Sequence, residues 1–274
     1  MSNSAVVTES ALHRLENVGD PRKTWKWRDR TSNYVADLHL GSDDIPELIE
    51  IARSWVTQTE WPDDEDDMSV YAPIHAWRAL AQLGATEAID LLLDMLPIMD
   101  ERMDDWHLEE FPYAFALIGP SVVEPVASFL EDSNNAEFAR ICAAHSLCEI
   151  AQRHPETSGQ PIHRLANRLE RYEENEGTLN AFLIGYLVDL KARDHAELIE
   201  RAYAAGCVDA TVVGRWSTIR KELGVPGLGL VPTDSDEESI STVQPSGSTS
   251  SDRFNGTRRQ RRKRRVRARK GRRR

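Results

Sequence analysis

Apolar residues recur at i, i+3, i+4 and i+7 in five stretches of the chain, the stripe of an amphipathic helix. They are Leu48/Ile51/Ala52/Trp55, Ile89/Leu92/Leu93/Leu96, Val123/Val126/Ala127/Leu130, Ile162/Leu165/Ala166/Leu169 and a weaker His195/Leu198/Ile199/Ala202. Their starts lie 41, 34, 39 and 33 residues apart. Small-and-apolar stretches precede the last four: "IHAWRALAQLG", "YAFALIG", "ICAAHSLCEIA" and "LNAFLIGYLVDLK". Gly84 and Gly119 fall where one helix must stop and the next begin, which predicts left-handed C-caps. Thr86 with Glu87, and Ser121 with Glu124, supply capping groups for the following helices. Pro120 and Pro125 lie at or before such a start, where a missing N–H costs little. No stretch reads as a strand. Helix pairs repeating every 30–45 residues predict an all-α fold, a right-handed α-solenoid of about four to five pairs whose stacked stripes make one core.

The pattern divides the chain into residues 1–42, an N-terminal cap or extension; 43–224, the repeat region; 225–256, a linker; and 257–274, a basic tail. Ten Ser/Thr fall within 231–256, together with Pro232, Pro245, Gly247 and Gly256. That composition buries too little to offset its ordering entropy, so a flexible linker is expected. The tail is expected to be a disordered, solvated arm unless it meets an anion.

Charge sharpens this division. Of the 34 Lys/Arg in 274 residues, 13 lie in 257–274, which holds no acid; the remaining 21 face 45 acids. The body is therefore near −24 beneath a net charge of −11. No apolar run approaches the roughly 18 residues that span a bilayer, and the first thirty residues lack a signal core. Three cysteines, Cys142, Cys148 and Cys207, fit reduced thiols in the cytoplasm.

The stretches "HAWRALAQLGATEAIDLLLDML" and "YAFALIGPSVVEPVASFL" resemble HEAT-like repeats, particularly the short bacterial type of phycobilin-lyase proteins. The resemblance spans about residues 43–205 and implies the fold rather than an activity. A fainter likeness, through "DDW", "LNAFLIGYLVDLKA" and "VDATVVGRWSTIRKELG", is to bacterial HEAT-like proteins of uncharacterised function. Some of those end in a short cysteine-rich zinc motif; here the chain carries arginines instead.

The tail, "RRQRRKRRVRARKGRRR", presents Arg258, Arg259, Arg261, Arg262, Lys263, Arg264, Arg265, Arg267, Arg269, Lys270, Arg272, Arg273 and Arg274. Guanidinium forks pair with phosphates in bidentate fashion, so RNA, DNA or another polyanion is the expected partner; a solubilising arm with no fixed ligand is the alternative. Val266 and Ala268 are its only apolar residues besides Gly271, so membrane insertion is not expected, although anionic lipid attracts it by charge.

Acid-rich turns at 60–69, 99–110, 130–138 and 171–177 would align along one edge of a solenoid. Trp61, Asp63, Asp64, Asp66, Asp67, Asp104, Asp105 and Trp106 form a ridge that could hold a basic protein segment, the chain's own tail included, or else face water. The spacing Cys142-x-x-His145-x-x-Cys148 converges poorly on a metal and reads as core packing. His107 reads as an exposed loop histidine. Trp25 and Trp27 in "RKTWKWRDR" either stack a base or cap the open end of the repeats. No phosphate-binding Gly loop, zinc-protease helix or nucleophile elbow is present, and no cofactor is expected. The reading is a non-enzymatic adaptor that binds a protein through its body and a polyanion through its tail. An enzyme on the same scaffold, lyase-like or DNA-glycosylase-like, is the alternative.

Overall fold

The computed structural model describes residues 9–23, 28, 33–58, 67–226 and 229–231. These residues contain α-helices and 3-10 turns and no strand, as the periodicity predicts. The stripes and the small-apolar stretches become two rows of alternating helices.

The amphipathic row is α3 (Ile45–Thr57), α5 (Ile89–Arg102), α7 (Val123–Glu131), α9 (Gly159–Glu170) and α11 (Ala196–Ala204), after a short α1 (Ala11–Glu16) and α2 (Tyr34–Asp37). The buried row is α4 (Ala72–Leu83), α6 (Trp106–Ile118), α8 (Glu137–Arg153) and α10 (Gly177–Asp189), with α12 (Ala210–Val213) and α13 (Trp216–Leu223) closing the C-terminal end. Each helix packs on its predecessor in the same row: α3 on α5, α5 on α7, α7 on α9, α9 on α11; and α4 on α6, α6 on α8, α8 on α10. One row locks against the other through α3–α4, α5–α6, α7–α8 and α9–α10.

Composition explains the division. Helices α8 and α10 are enclosed on every side and bury Phe138–Cys148 and Thr178–Val188 without a break, Arg140, His145 and Asn180 included. Alanine and glycine let their neighbours approach closely. The amphipathic helices bury one face each, a single stripe in α3, with Leu48, Ile51, Ala52 and Trp55, and a wider arc in α5. A ladder of edge-on rings, Trp55–Trp77–Phe111–Phe115, runs from α3 into the core at centroid separations of 5.9, 5.3 and 6.3 Å. Aromatic edges directed at ring faces add to the area buried.

The helix entrances differ from the capping scheme read in the sequence. A 3-10 turn precedes every amphipathic helix from α3 onward: Ser42–Asp44, Thr86–Ala88, Pro120–Val122, Pro155–Thr157 and Arg193–His195. Helices α5 and α7 then have Ala88 and Val122 at the N-cap position, with no side-chain cap. The tight turn itself engages the early N–H groups, as in Ala88 N to Ala85 O at 3.2 Å and Val122 N to Gly119 O at 3.2 Å. Glu124 is freed from capping and instead binds Arg164 and Gln160 of α9 at 2.5 and 2.6 Å.

The two glycines also separate. Gly84 has the predicted left-handed cap, φ +68° and ψ 30°, with Gly84 N bonded to Ala81 O and Ala85 N to Leu80 O. Gly119 has φ +114° and ψ −169°, a region essentially restricted to glycine. An added Cβ meets nothing within 4 Å at Gly119 and only Ile118 O at 4.0 Å at Gly84, so backbone strain alone sets the cost. Gly84→Ala should therefore destabilise by about 1 kcal/mol and Gly119→Ala by about 1–3 kcal/mol. Urea melts of the two variants check this, and the order Gly119 above Gly84 is the decisive outcome.

Candidate functional site

The N-terminal elements lie across the first helix pair, and a buried polar network holds them there. Arg78 of α4 and Glu110 of α6 are both 0% exposed and form a two-pronged pair, with Nε to Oε2 and Nη2 to Oε1 each at 2.8 Å. Arg78 Nη1 also donates to the Pro21 carbonyl and to the Tyr34 hydroxyl at 3.1 Å. Tyr34 Oη lies 2.8 Å from His75 Nδ1, and His75 Nε2 lies 2.8 Å from the Gly19 carbonyl. Since that carbonyl can only accept, Nε2 carries the proton, Nδ1 accepts from Tyr34, and the ring is neutral. Burial, reinforced by the positive charge of Arg78, lowers the His75 pKa to about 4, although the bond to Gly19 opposes the fall. Burial also works against the charge on Arg78, yet Glu110 and Tyr34 hold its pKa above the usual guanidinium value. With every arm of this network engaged, its role is to clamp Gly19, Pro21 and Tyr34 onto α4. At the other end of this segment, Glu47 of α3 accepts from the Ala11 and Leu12 N–H groups at 3.0 and 3.3 Å.

A second polar seam crosses α6, α8 and α10. The Arg28 guanidinium sits 3.7 Å from the Tyr113 ring centroid and donates to the Glu109 carbonyl at 2.5 Å. Tyr113 meets His145 edge-on at 5.9 Å, and His145 stacks on Tyr186 at 5.2 Å with the rings 2° from parallel. Burial first, then the Glu149 charge, raises the Tyr113 pKa. His145 Nε2 is 3.1 Å from Glu149 Oε1, Cys142 Sγ donates to the His107 carbonyl, and Cys148 Sγ accepts from Gln152. The Cys142, His145 and Cys148 side chains thus serve different neighbours. Among the described residues, no group of three or more His, Cys, Asp or Glu side chains is placed to hold a metal ion.

The described members of the predicted acidic ridge have structural work. Asp104 Oδ2 accepts from the Trp55 indole N–H at 2.6 Å, and Oδ1 accepts from the Trp106 N–H at 3.0 Å. Asp105 stands at the start of α6, and the Trp106 ring is partly buried against the core. Asp67 accepts from the Ser69 N–H at 2.9 Å, and bonding to Ser69 lowers its pKa. Trp61, Asp63, Asp64 and Asp66 lie outside the described residues, as do Trp25, Trp27 and every tail residue from Arg258 to Arg274. His107, read as an exposed loop residue, is instead 0% exposed on the first turn of α6, where Nδ1 donates to the Asp104 carbonyl at 2.5 Å.

Arginines, which the sequence reading passed over, line the same turns from within. Arg102 donates to the Val56 carbonyl at 2.6 Å, and Arg140 to Leu130 O, Asn175 and Glu176. Arg168 reaches the Glu131 carbonyl at 3.3 Å and its carboxylate at 3.5 Å, with Arg171 on the same carboxylate. Burial first, and the neighbouring Arg168 second, lower the Arg140 pKa. These cations satisfy helix C-terminal carbonyls and offset the turn acids locally.

Carboxylates free of such partners lie elsewhere, on the outer face between α5 and α7. A groove of about 610 Å³ is lined by Asp90, Leu93, Asp94 and Pro97 from one helix and Pro125, Ser128, Phe129 and Asp132 from the other, with Asn135 at its end. Each wall is a stripe at helical spacing, and among the described residues no basic side chain lines it. Leu93 was expected in the core stripe. Helix α5 instead turns Leu91, Leu92, Met95, Leu96 and Met99 inward, which leaves Leu93 half-buried at the groove.

The family model of DUF1186, described as a protein of unknown function, matches residues 40–219, more than half of the chain. The chain belongs to the DUF1186 family. The matched region begins just before α3 and ends within α13, so it contains both helix rows and the groove. The clamped N-terminal segment and the basic tail lie outside the DUF1186 match. No curated protein and no solved structure matches significantly.

Proposed function

We propose that this DUF1186 protein is a non-enzymatic adaptor, built as a HEAT-like right-handed α-solenoid, whose acidic body takes up a basic protein segment and whose arginine-rich tail engages nucleic acid or another polyanion. The observation that carries the reading is the α5–α7 groove, where Asp90 and Asp94 and the half-buried Leu93, Pro97, Pro125 and Phe129 offer charge and apolar contact together. Two rows of helices packed in register support the solenoid architecture, which presents such inter-repeat grooves to partners. The buried Arg78, Glu110 and Arg140 are engaged in clamping and capping, which supports a binding rather than a catalytic role for them. No single helix among the described residues is long and apolar enough to cross a membrane. The free thiols Cys142 and Cys148 are buried, and we assign the protein to the cytoplasm on that cysteine usage.

Fluorescence anisotropy with labelled single-stranded RNA and duplex DNA tests the tail. Full-length protein should bind both, with affinity falling about a thousandfold or more between 50 and 200 mM salt. A chain ending at Gly256 should not bind. Binding that survives the truncation, or that ignores salt, would overturn the assignment to the tail.

A further inference from the structure

We propose that the chain's own tail, through Arg265–Arg269, docks in the α5–α7 groove when no polyanion is bound, so that the groove and the tail mask one another. This rests on the reading of the body as a binder of basic segments, and it names both the surface and the occupant.

The groove excludes most other ligands by its chemistry. Asp90, Asp94 and Asp132 are exposed, and among the described residues no basic side chain lines the walls, so phosphates and acidic peptides are repelled. Asp132 engages the neighbouring Asn134, while Asp90 and Asp94 have no such bond among the described residues. Pro97, inside α5, supplies no N–H to the Leu93 carbonyl, and both residues line the groove. That carbonyl lacks its usual helical donor and adds an acceptor to the site. A guanidinium answers each feature: it pairs with the carboxylates, bonds a carbonyl and stacks on an aromatic ring such as Phe129, while its methylene stem covers Leu93, Pro97 and Pro125.

Spacing singles out one part of the tail. The run Arg265-Val266-Arg267-Ala268-Arg269 alternates arginine with small apolar residues. Extended, it repeats an arginine about every 6.7 Å, close to the roughly 6 Å of helical rise between Asp90 and Asp94. Of the other tail arginines, Arg258/Arg259 and Arg261/Arg262 are consecutive pairs, Arg272–Arg274 is a triplet and Arg264 adjoins Arg265, so none of them alternates with an apolar residue.

Reach is sufficient. The described chain ends near α11, where the Leu230 N–H is bonded to Glu200 at 3.0 Å. Helices α11, α9 and α7 are successive neighbours in one row, so the groove is about 20 Å away at normal helix spacing. The 26 residues from Pro232 to Thr257 would bridge about 28 Å at random-coil dimensions. Tethering at that length gives a local concentration in the millimolar range, enough to hold a contact that would be weak between separate molecules.

Two readouts on the full chain test the proposal. With p-benzoylphenylalanine in place of Ala268, irradiation at low salt should cross-link the tail to residues 90–97 or 125–135 of the same molecule, and 1 M salt should abolish the link. In parallel, the exposed triple variant Asp90→Asn/Asp94→Asn/Asp132→Asn should bind single-stranded RNA about tenfold more tightly than the natural chain. The control triple Glu50→Gln/Glu101→Gln/Glu197→Gln, which removes the same charge elsewhere, should change the affinity at most slightly. Circular dichroism confirms that the variants fold. Cross-links that map away from the groove, or that join isotopically distinct molecules, would overturn docking within one chain. Equal gains in the two triples would overturn the groove as the site. If the tail bound no RNA at all, the polyanion reading would fail while the cross-linking map still decided the docking.

Discussion

Glu110→Ala should destabilise the fold by about 3–5 kcal/mol, because removing one partner of a buried ion pair leaves the other charged and unsatisfied. Arg78 is 0% exposed, and both carboxylate oxygens of Glu110 receive its hydrogen bonds at 2.8 Å. Its remaining bonds, to Pro21 O and Tyr34 Oη at 3.1 Å, cannot neutralise the guanidinium. In a chain of this size the loss corresponds to a fall in Tm of roughly 6–20 °C. Urea denaturation followed by circular dichroism measures it, and a change below about 1 kcal/mol would mean that water reaches Arg78. Replacing the pair together, Arg78→Met/Glu110→Met, should recover much of the loss, since apolar groups of similar volume avoid the desolvation penalty. Recovery should stop short of complete, because Pro21 O and the Tyr34 hydroxyl lose a donor each. The loss should also reach the N-terminal segment, since Arg78 is one of the groups that clamps it. Faster amide exchange at residues 33–40 in the single variant would report that release.

This pair shows where sequence reading stops. The stripe Leu48/Ile51/Ala52/Trp55 is legible because a helix buried on one side advertises its period, and all four residues are buried. Helix α5 contacts α3, α6, α7 and α8, so its buried arc is wider than one stripe and Leu93 falls to the rim. Arg78 and Glu110 are 32 residues apart, and each looks like a surface charge until the helix around it is seen to be buried on every side. A usable signal was present: a lone arginine within "IHAWRALAQLG" and a glutamate just before "FPYAFALIG" interrupt stretches too apolar to face water. Glycine marks the reversal after α4, but α5 and α10 end at Met103 and Lys191, both at φ +56°. Turn rules centred on glycine pass over these ends, which the same backbone bonds close, Asp104 N to Met99 O and Ala192 N to Leu187 O at 2.9 Å. The acidic turns misled in another way: composition counts Asp104 and Glu131 as free charge, while contacts with Trp55, Arg168 and Arg171 engage them. The groove carboxylates, Asp90 and Asp94 on successive turns of α5 and Asp132 just past the end of α7, carry no local motif. They become a site only when α5 and α7 lie side by side.

Stability should fall by about 3 kcal/mol through His75 alone as pH drops from 6.5 to 4. The folded ring has a pKa of about 4 against an ordinary 6.5, so only the unfolded chain takes up this proton across that window. Above pH 6.5 the ring is neutral in both states, and His75 contributes no slope. Below 6.5 the unfolded state gains about 1.4 kcal/mol per pH unit until the folded ring also protonates near 4. The structure gives the reason. A proton on Nδ1 would face the Tyr34 hydroxyl, which now donates to it, and would set a second buried cation near Arg78. Asp20 attracts that cation and Gly19 O already holds Nε2–H, but desolvation outweighs both. Carboxylates throughout the chain also titrate toward pH 4, so the informative quantity is the difference from His75→Gln, which cannot protonate. Between pH 6.5 and 5, urea melts should show the natural chain losing about 2 kcal/mol more than the variant. Parallel loss in both proteins would show that the ring is not held neutral, and with it that the Tyr34–His75–Gly19 clamp is open to water.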